Sequence, residues 1–214
     1  SHLGHKLDTC KKHSLHGRSN QDEPAKTGRC DVRKGHVVIV SGTPGTGKTR
    51  FTRLLARRLD IDAIDLGKFA KQHGLIVGYD RKRRTYVIDE RKLRLRLQEH
   101  LRSPGKKILV EGHDASNLVP RGLVNVAFVL RCNPAVLKTR LKRRGYTEPK
   151  IRENVEAEIL DICLSDTVAA LGSDKVAEID TSTRAVEDCV EEARLILTGK
   201  KPTRFGKFDW LREL

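Results

Sequence analysis

The chain has 214 residues, enough for one domain with a sizeable core, or one domain with an appended segment. Its 37% hydrophobic and 33% charged residues exclude a chain disordered throughout, and no apolar run approaches the roughly 18 residues of a membrane span. Five widely spaced cysteines, an odd number, argue against a disulfide scaffold and for a reducing, cytoplasmic setting, while the net charge of +15 calls for a polyanionic partner or substrate.

In chain order, residues 1–34 hold eight Lys/Arg against four Asp/Glu with no apolar periodicity, which predicts a flexible basic extension. Cys10, His13, His16 and Cys30 could be arranged as zinc ligands, but their spacing matches no established finger and the apolar residues needed to fold around a metal are missing. A β-branched run at 36–41 predicts a buried strand, and Phe51, Leu54, Leu55 and Leu59 recur at helical spacing over 48–59. A short strand at 63–66, a short helix at 68–73 and a hairpin or irregular excursion at 77–88 follow. Asp89 reads as the N-cap of a helix to about 101, with Glu90 favouring its first turn. Further strands are predicted at 107–111, 124–130 and 176–179, and helices at 134–145, 149–171 and 185–197. Strand alternating with helix implies an α/β fold with a five-stranded parallel sheet and helices on both faces. The tail, 199–214, nets +3 and carries Phe205, Phe208 and Trp210, so it is expected to dock on a surface of this domain or of a partner.

Gly42-Thr43-Pro44-Gly45-Thr46-Gly47-Lys48-Thr49 fits the phosphate-loop pattern, with an apolar strand before it and an amphipathic helix after it. Its glycines let successive N–H groups face inward, where they and the helix N-terminus cradle a pyrophosphate. Lys48 reaches the β- and γ-phosphates of ATP, and the Thr49 hydroxyl ligates Mg²⁺. A metal-bound triphosphate also needs an acid at a neighbouring strand end. Glu111 closes the strand Ile108–Glu111 in that position, and His113 follows where it could orient a water, touch phosphate or make only a local hydrogen bond. The charge is uneven: 68–107 holds thirteen basic and four acidic residues, and 131–152 holds eight and one. Arg140, Arg143 and Arg144 lead into Gly145-Tyr146-Thr147-Glu148-Pro149, the pattern of a basic segment that closes over ATP and excludes water.

Together these features resemble the nucleoside monophosphate kinases, and one branch most: the archaeal-type adenylate kinases with adenylate kinase isoenzyme 6. The residues that carry the resemblance are 42–49, 78–90 (GYDRKRRTYVIDE), 110–113 (VEGH), 128–134 (FVLRCNP) and 144–160 (RGYTEPKIRENVEAEIL), within 35–198. The resemblance implies Mg²⁺-dependent phosphoryl transfer from ATP to AMP. Gly42, Gly45, Thr46, Gly47, Lys48, Thr49 and Arg50 would bind the ATP phosphates, Arg144 would bind ATP, and Arg140 would be a second phosphate contact. Residues 65–88 would form the monophosphate-binding segment, 143–153 the short lid, and Asp180–Thr183 would shape the adenine pocket. Where eukaryotic members carry Asp-x-His, this chain has Glu111-Gly112-His113. The family also implies an ATPase that binds a small-subunit ribosomal protein and acts in small-subunit maturation near rRNA. Two alternatives stand beside the adenylate kinase reading: an ATP-driven assembly factor with minor kinase turnover, and a small-molecule kinase of the same fold.

Overall fold

The computed structural model describes residues 35–81, 85–102 and 107–213; the flexible extension and the zinc reading of residues 1–34 lie outside them. Five parallel strands form one sheet: β1 (Val37–Ser41), β2 (Asp62–Asp65), β5 (Ile108–Glu111), β6 (Val124–Arg131) and β7 (Val176–Asp180). Their order is β2-β5-β1-β6-β7, with β1 central and every partner parallel. Two more strands, β3 (Ile76–Asp80) and β4 (Thr85–Ile88), form a separate antiparallel ribbon with Tyr79 opposite Tyr86.

Alternation along β1 sends side chains to two cores. Val37 and Ile39 pack with Phe69 of α2 (Leu66–Gln72), with Leu93 and Leu97 of α3 (Glu90–Leu101), and with Leu118 of α4 (Ala115–Leu118). Val38 and Val40 pack on the other face with Phe51 and Leu55 of α1 (Lys48–Leu59) and with Val190 and Ala193 of α8 (Val186–Leu197). A sheet covered on both faces explains the near-continuous apolar strands. The chain leaves β1 for β2 on one side and leaves β5 for β6 on the other side of β1, so the carboxyl ends of the strands open into a crevice.

Several boundaries differ from the sequence expectation, each for a local reason. Strand β2 ends at Asp65 because that side chain caps α2, its Oδ1 accepting from the Lys68 amide at 3.1 Å. Asp89 caps α3 as expected, accepting from Lys92 N at 3.0 Å. The single helix expected over 149–171 is two, α6 (Glu148–Ile159) and α7 (Ile162–Leu171), broken where Asp161 takes φ 56°. At that break the Asp161 carboxylate and the Glu158 carbonyl both turn to Arg131. The tail docks on its own domain. Glu178 N donates to Arg204 O at 2.9 Å, Lys207 N donates to Glu178 Oε2 at 2.8 Å, and Lys201 Nζ reaches Glu192 at 2.7 Å. Trp210 is buried and stacks on Phe208.

Candidate active site

The phosphate loop leaves the end of β1 and enters α1. Gly42 sits at φ 135°, where a Cβ would lie 2.5 Å from the Leu130 carbonyl, and Gly45 at φ 101° presses against Leu137 and Leu141 of α5 (Pro134–Arg143). Both positions therefore require glycine. No side chain caps the N-terminus of α1 and no acid lies in its first turn, so its amides are left for an anion. Lys48 Nζ donates to the carbonyls of Gly42 (2.6 Å) and Thr43 (3.2 Å), folded back on its own loop. Burial pulls its pKa below the usual lysine range. Cys163, Glu111 and Glu158 favour the charged form, and Arg144 opposes it.

Thr49 and Glu111, 62 residues apart, meet at 2.6 Å, hydroxyl to carboxylate. Glu111 is buried at the end of β5, in register with Asp65 on β2. These donors are all oxygen, hard ligands that suit Mg²⁺. His113 is not part of this cluster: its Nε2 pairs with Asp114 Oδ2 at 2.7 Å and draws that carboxyl below its usual range, while its carbonyl accepts from Ser41 Oγ. The structure thus gives His113 the local partner that the sequence left as one of its readings. Beside Thr49 and Glu111 lies an open cleft of about 860 Å³, lined also by Arg53, Arg57, Lys68 and Lys107.

On the opposite side of the loop, Gly45, Thr46, Gly47, Arg50, Arg140, Arg143, Arg144 and Arg184 wall a cavity of about 360 Å³. Arg144 caps α5 and lies close enough to Lys48 to disfavour its charge. Arg50 faces Glu187 at 3.7 Å on the surface. Arg140 departs from the expectation of a phosphate contact: its guanidinium donates to the carbonyls of Thr181 (2.6 Å) and Ser182 (3.0 Å). It holds the loop after β7 against the phosphate loop, to which Thr181 Oγ1 also donates, at Thr46 O (2.8 Å).

Sequence reasoning missed the buried residues behind this wall. Arg131, 1% exposed at the end of β6, donates to Glu158 (2.9 Å), Glu178 (2.5 Å) and Asp161. Burial alone would favour the neutral guanidinium; the carboxylates outweigh it and hold its pKa above the ordinary arginine value. A charged residue inside an apolar strand was the available signal, present in both β6 and β7.

Residues 38–161 match the AAA domain family. A protein of Methanocaldococcus jannaschii named "Putative adenylate kinase" is 39% identical over 173 residues, covering 81% of this chain and 92% of that one. The chain belongs to the archaeal-type adenylate kinase and adenylate kinase isoenzyme 6 family. Within that family, the adenylate kinase isoenzyme 6 homolog FAP7 of Saccharomyces cerevisiae is 35% identical over 170 residues, covering 79% of this chain and 84% of the yeast protein. A solved shikimate kinase from Bacteroides thetaiotaomicron aligns at 17% identity with a TM-score of 0.49, over 76% of this chain and 98% of that one. The family model's matched stretch spans the phosphate loop, the Thr49–Glu111 pair and the arginine wall except Arg184.

Proposed function

We propose that the protein is an adenylate kinase, transferring the terminal phosphoryl group of ATP to AMP to give two ADP. The observation that carries this reading is the Thr49–Glu111 pair at the foot of a phosphate loop, with a cavity walled by arginines on one side and an open basic cleft on the other. The cavity takes ATP, its triphosphate lying along the loop amides and Arg144. Lys48 leaves the Gly42 and Thr43 carbonyls for the β- and γ-phosphates. Thr49 and Glu111 would hold Mg²⁺, which when bound would neutralise charge on the phosphates. An AMP α-phosphate oxygen forms the new P–O bond as the β–γ bridging bond breaks. Residues 65–88 close on AMP and 143–153 on ATP, which excludes water. Coupled ADP formation tests the reading: AMP must accelerate it well above basal ATP hydrolysis, and a rate indifferent to AMP overturns it.

A basal ATPase and a role in small-ribosomal-subunit maturation complete the proposal. Their support is the family's second activity and the part of the +15 charge that the mononucleotide-binding segments do not hold, +4 in residues 1–34 and +3 in residues 199–214. Binding of purified small-subunit ribosomal proteins, with a change in hydrolysis rate, supports the assembly role; neither effect removes it. Deleting 1–34 should lower RNA affinity and leave ADP formation unchanged. Undiminished RNA binding would show the charge there to be idle.

A further inference from the structure

The phosphate loop has a buried support that its motif does not contain. Thr43, 1% exposed, is the hub of the loop: its carbonyl accepts from Thr46 N (3.3 Å), Thr46 Oγ1 (2.9 Å) and Lys48 Nζ (3.2 Å). Its hydroxyl donates outward, to Glu158 Oε2 on α6 at 2.5 Å. The other Glu158 oxygen accepts from Arg131 Nε (2.9 Å) and from the Cys132 amide (3.0 Å). Glu158 is 2% exposed, so both its oxygens are committed to protein donors and its geometry is fixed.

Neutralising Arg131 does not by itself require this residue. Glu178 and Asp161 already set two carboxylates on one guanidinium. Glu158 is a third, and the only one of the three with a recorded contact to the phosphate loop among the described residues. A carboxylate in excess of charge balance, aimed at the hub of a binding loop, fits positioning better than neutralisation.

We propose that Glu158 is a positioning residue for the phosphate loop: held by Arg131 and the Cys132 amide, it fixes Thr43 and through it the loop backbone and the resting place of Lys48. This rests on the reading of the loop as the ATP site. One consequence separates it from a purely structural part. Disturbing the contact weakens ATP and leaves AMP alone.

The test compares Thr43→Val, Thr43→Ser and Glu158→Gln with the full-length protein, by titration with a nonhydrolysable ATP analogue, by KM for ATP and for AMP, and by melting temperature. Thr43→Val keeps the shape and removes the donor; it should weaken analogue binding about tenfold with KM for AMP unchanged. Thr43→Ser should restore binding. Glu158→Gln keeps the shape and weakens the acceptor, so it should raise KM for ATP in the same direction as Thr43→Val and leave KM for AMP unchanged. Wild-type analogue affinity in Thr43→Val overturns the inference, as does an equal rise of both KM values with a falling melting temperature. If the wild-type protein transfers nothing to AMP, the adenylate kinase reading has failed, and the analogue titration still decides the role of Glu158.

Discussion

Behind the phosphate loop a set of polar side chains is buried and hydrogen-bonded, whereas on the β3–β4 ribbon even the apolar ones stand in water. Thr43, Thr46, Arg131 and Glu158 are almost fully buried, and each makes recorded hydrogen bonds. Val77, Tyr79, Tyr86 and Val87 are about half exposed or more, and the two tyrosines touch chiefly each other, at 5.3 Å between ring centres. The ATP side is therefore shaped before any ligand arrives. The ribbon has few contacts to resist movement, as a segment that closes on its substrate requires.

The largest effect expected on this contrast is at Lys48. Lys48→Ala should lower kcat/KM by at least about a hundredfold, because it removes a preorganised cation from the transferring phosphoryl group. The melting temperature should hold, since burial makes the ammonium costly to fold; near-wild-type turnover would break the assignment. Next comes the tail, which belongs to the rigid side. Trp210→Ala should destabilise by about 3 kcal/mol in denaturant titrations, and a change near zero would show the tail to be only laid on the surface. Smaller effects belong to the ribbon. Tyr79→Ala and Tyr86→Ala should raise KM for AMP a few-fold and leave KM for ATP and stability within about 0.5 kcal/mol of wild type. An equal effect on ATP would erase the distinction between the two regions.

A pH profile sharpens the same contrast. The folded pKa of Lys48 lies below the ordinary lysine value of 10.5, so the penalty for its charge is present in full at neutral pH. Stability from this group should rise as pH climbs from the folded pKa towards 10.5. Over that window the ammonium is lost, and kcat/KM for ATP should fall. A rate that stays flat to the ordinary lysine range would place Lys48 elsewhere.

Much of this was legible in the sequence because the relevant signals are local. The strand, the loop glycines and α1 lie within 23 residues of one another, and the Asp89 cap needs only the amide three positions on. That Thr49 and Glu111 lie within hydrogen-bond distance is also readable, because the phosphate-loop pattern asks for an acid at a neighbouring strand end. What was missed depends on tertiary partners. Arg131 meets residues 27 and 47 positions away, and the break at Asp161 has no proline or glycine to announce it. Arg140 read as a phosphate ligand because its charge was visible, while the Thr181 and Ser182 carbonyls that engage it were not. The tail showed its aromatics but not their destination, which Glu178 and Glu192 supply.

The most direct test of the central claim follows the phosphorus itself. With γ-labelled ATP and AMP mixed with the full chain and Mg²⁺, the label should appear in the β-position of ADP before it appears in inorganic phosphate, and omitting AMP should abolish the labelled ADP. Label collecting only in inorganic phosphate, at a rate the same with and without AMP, would contradict the account.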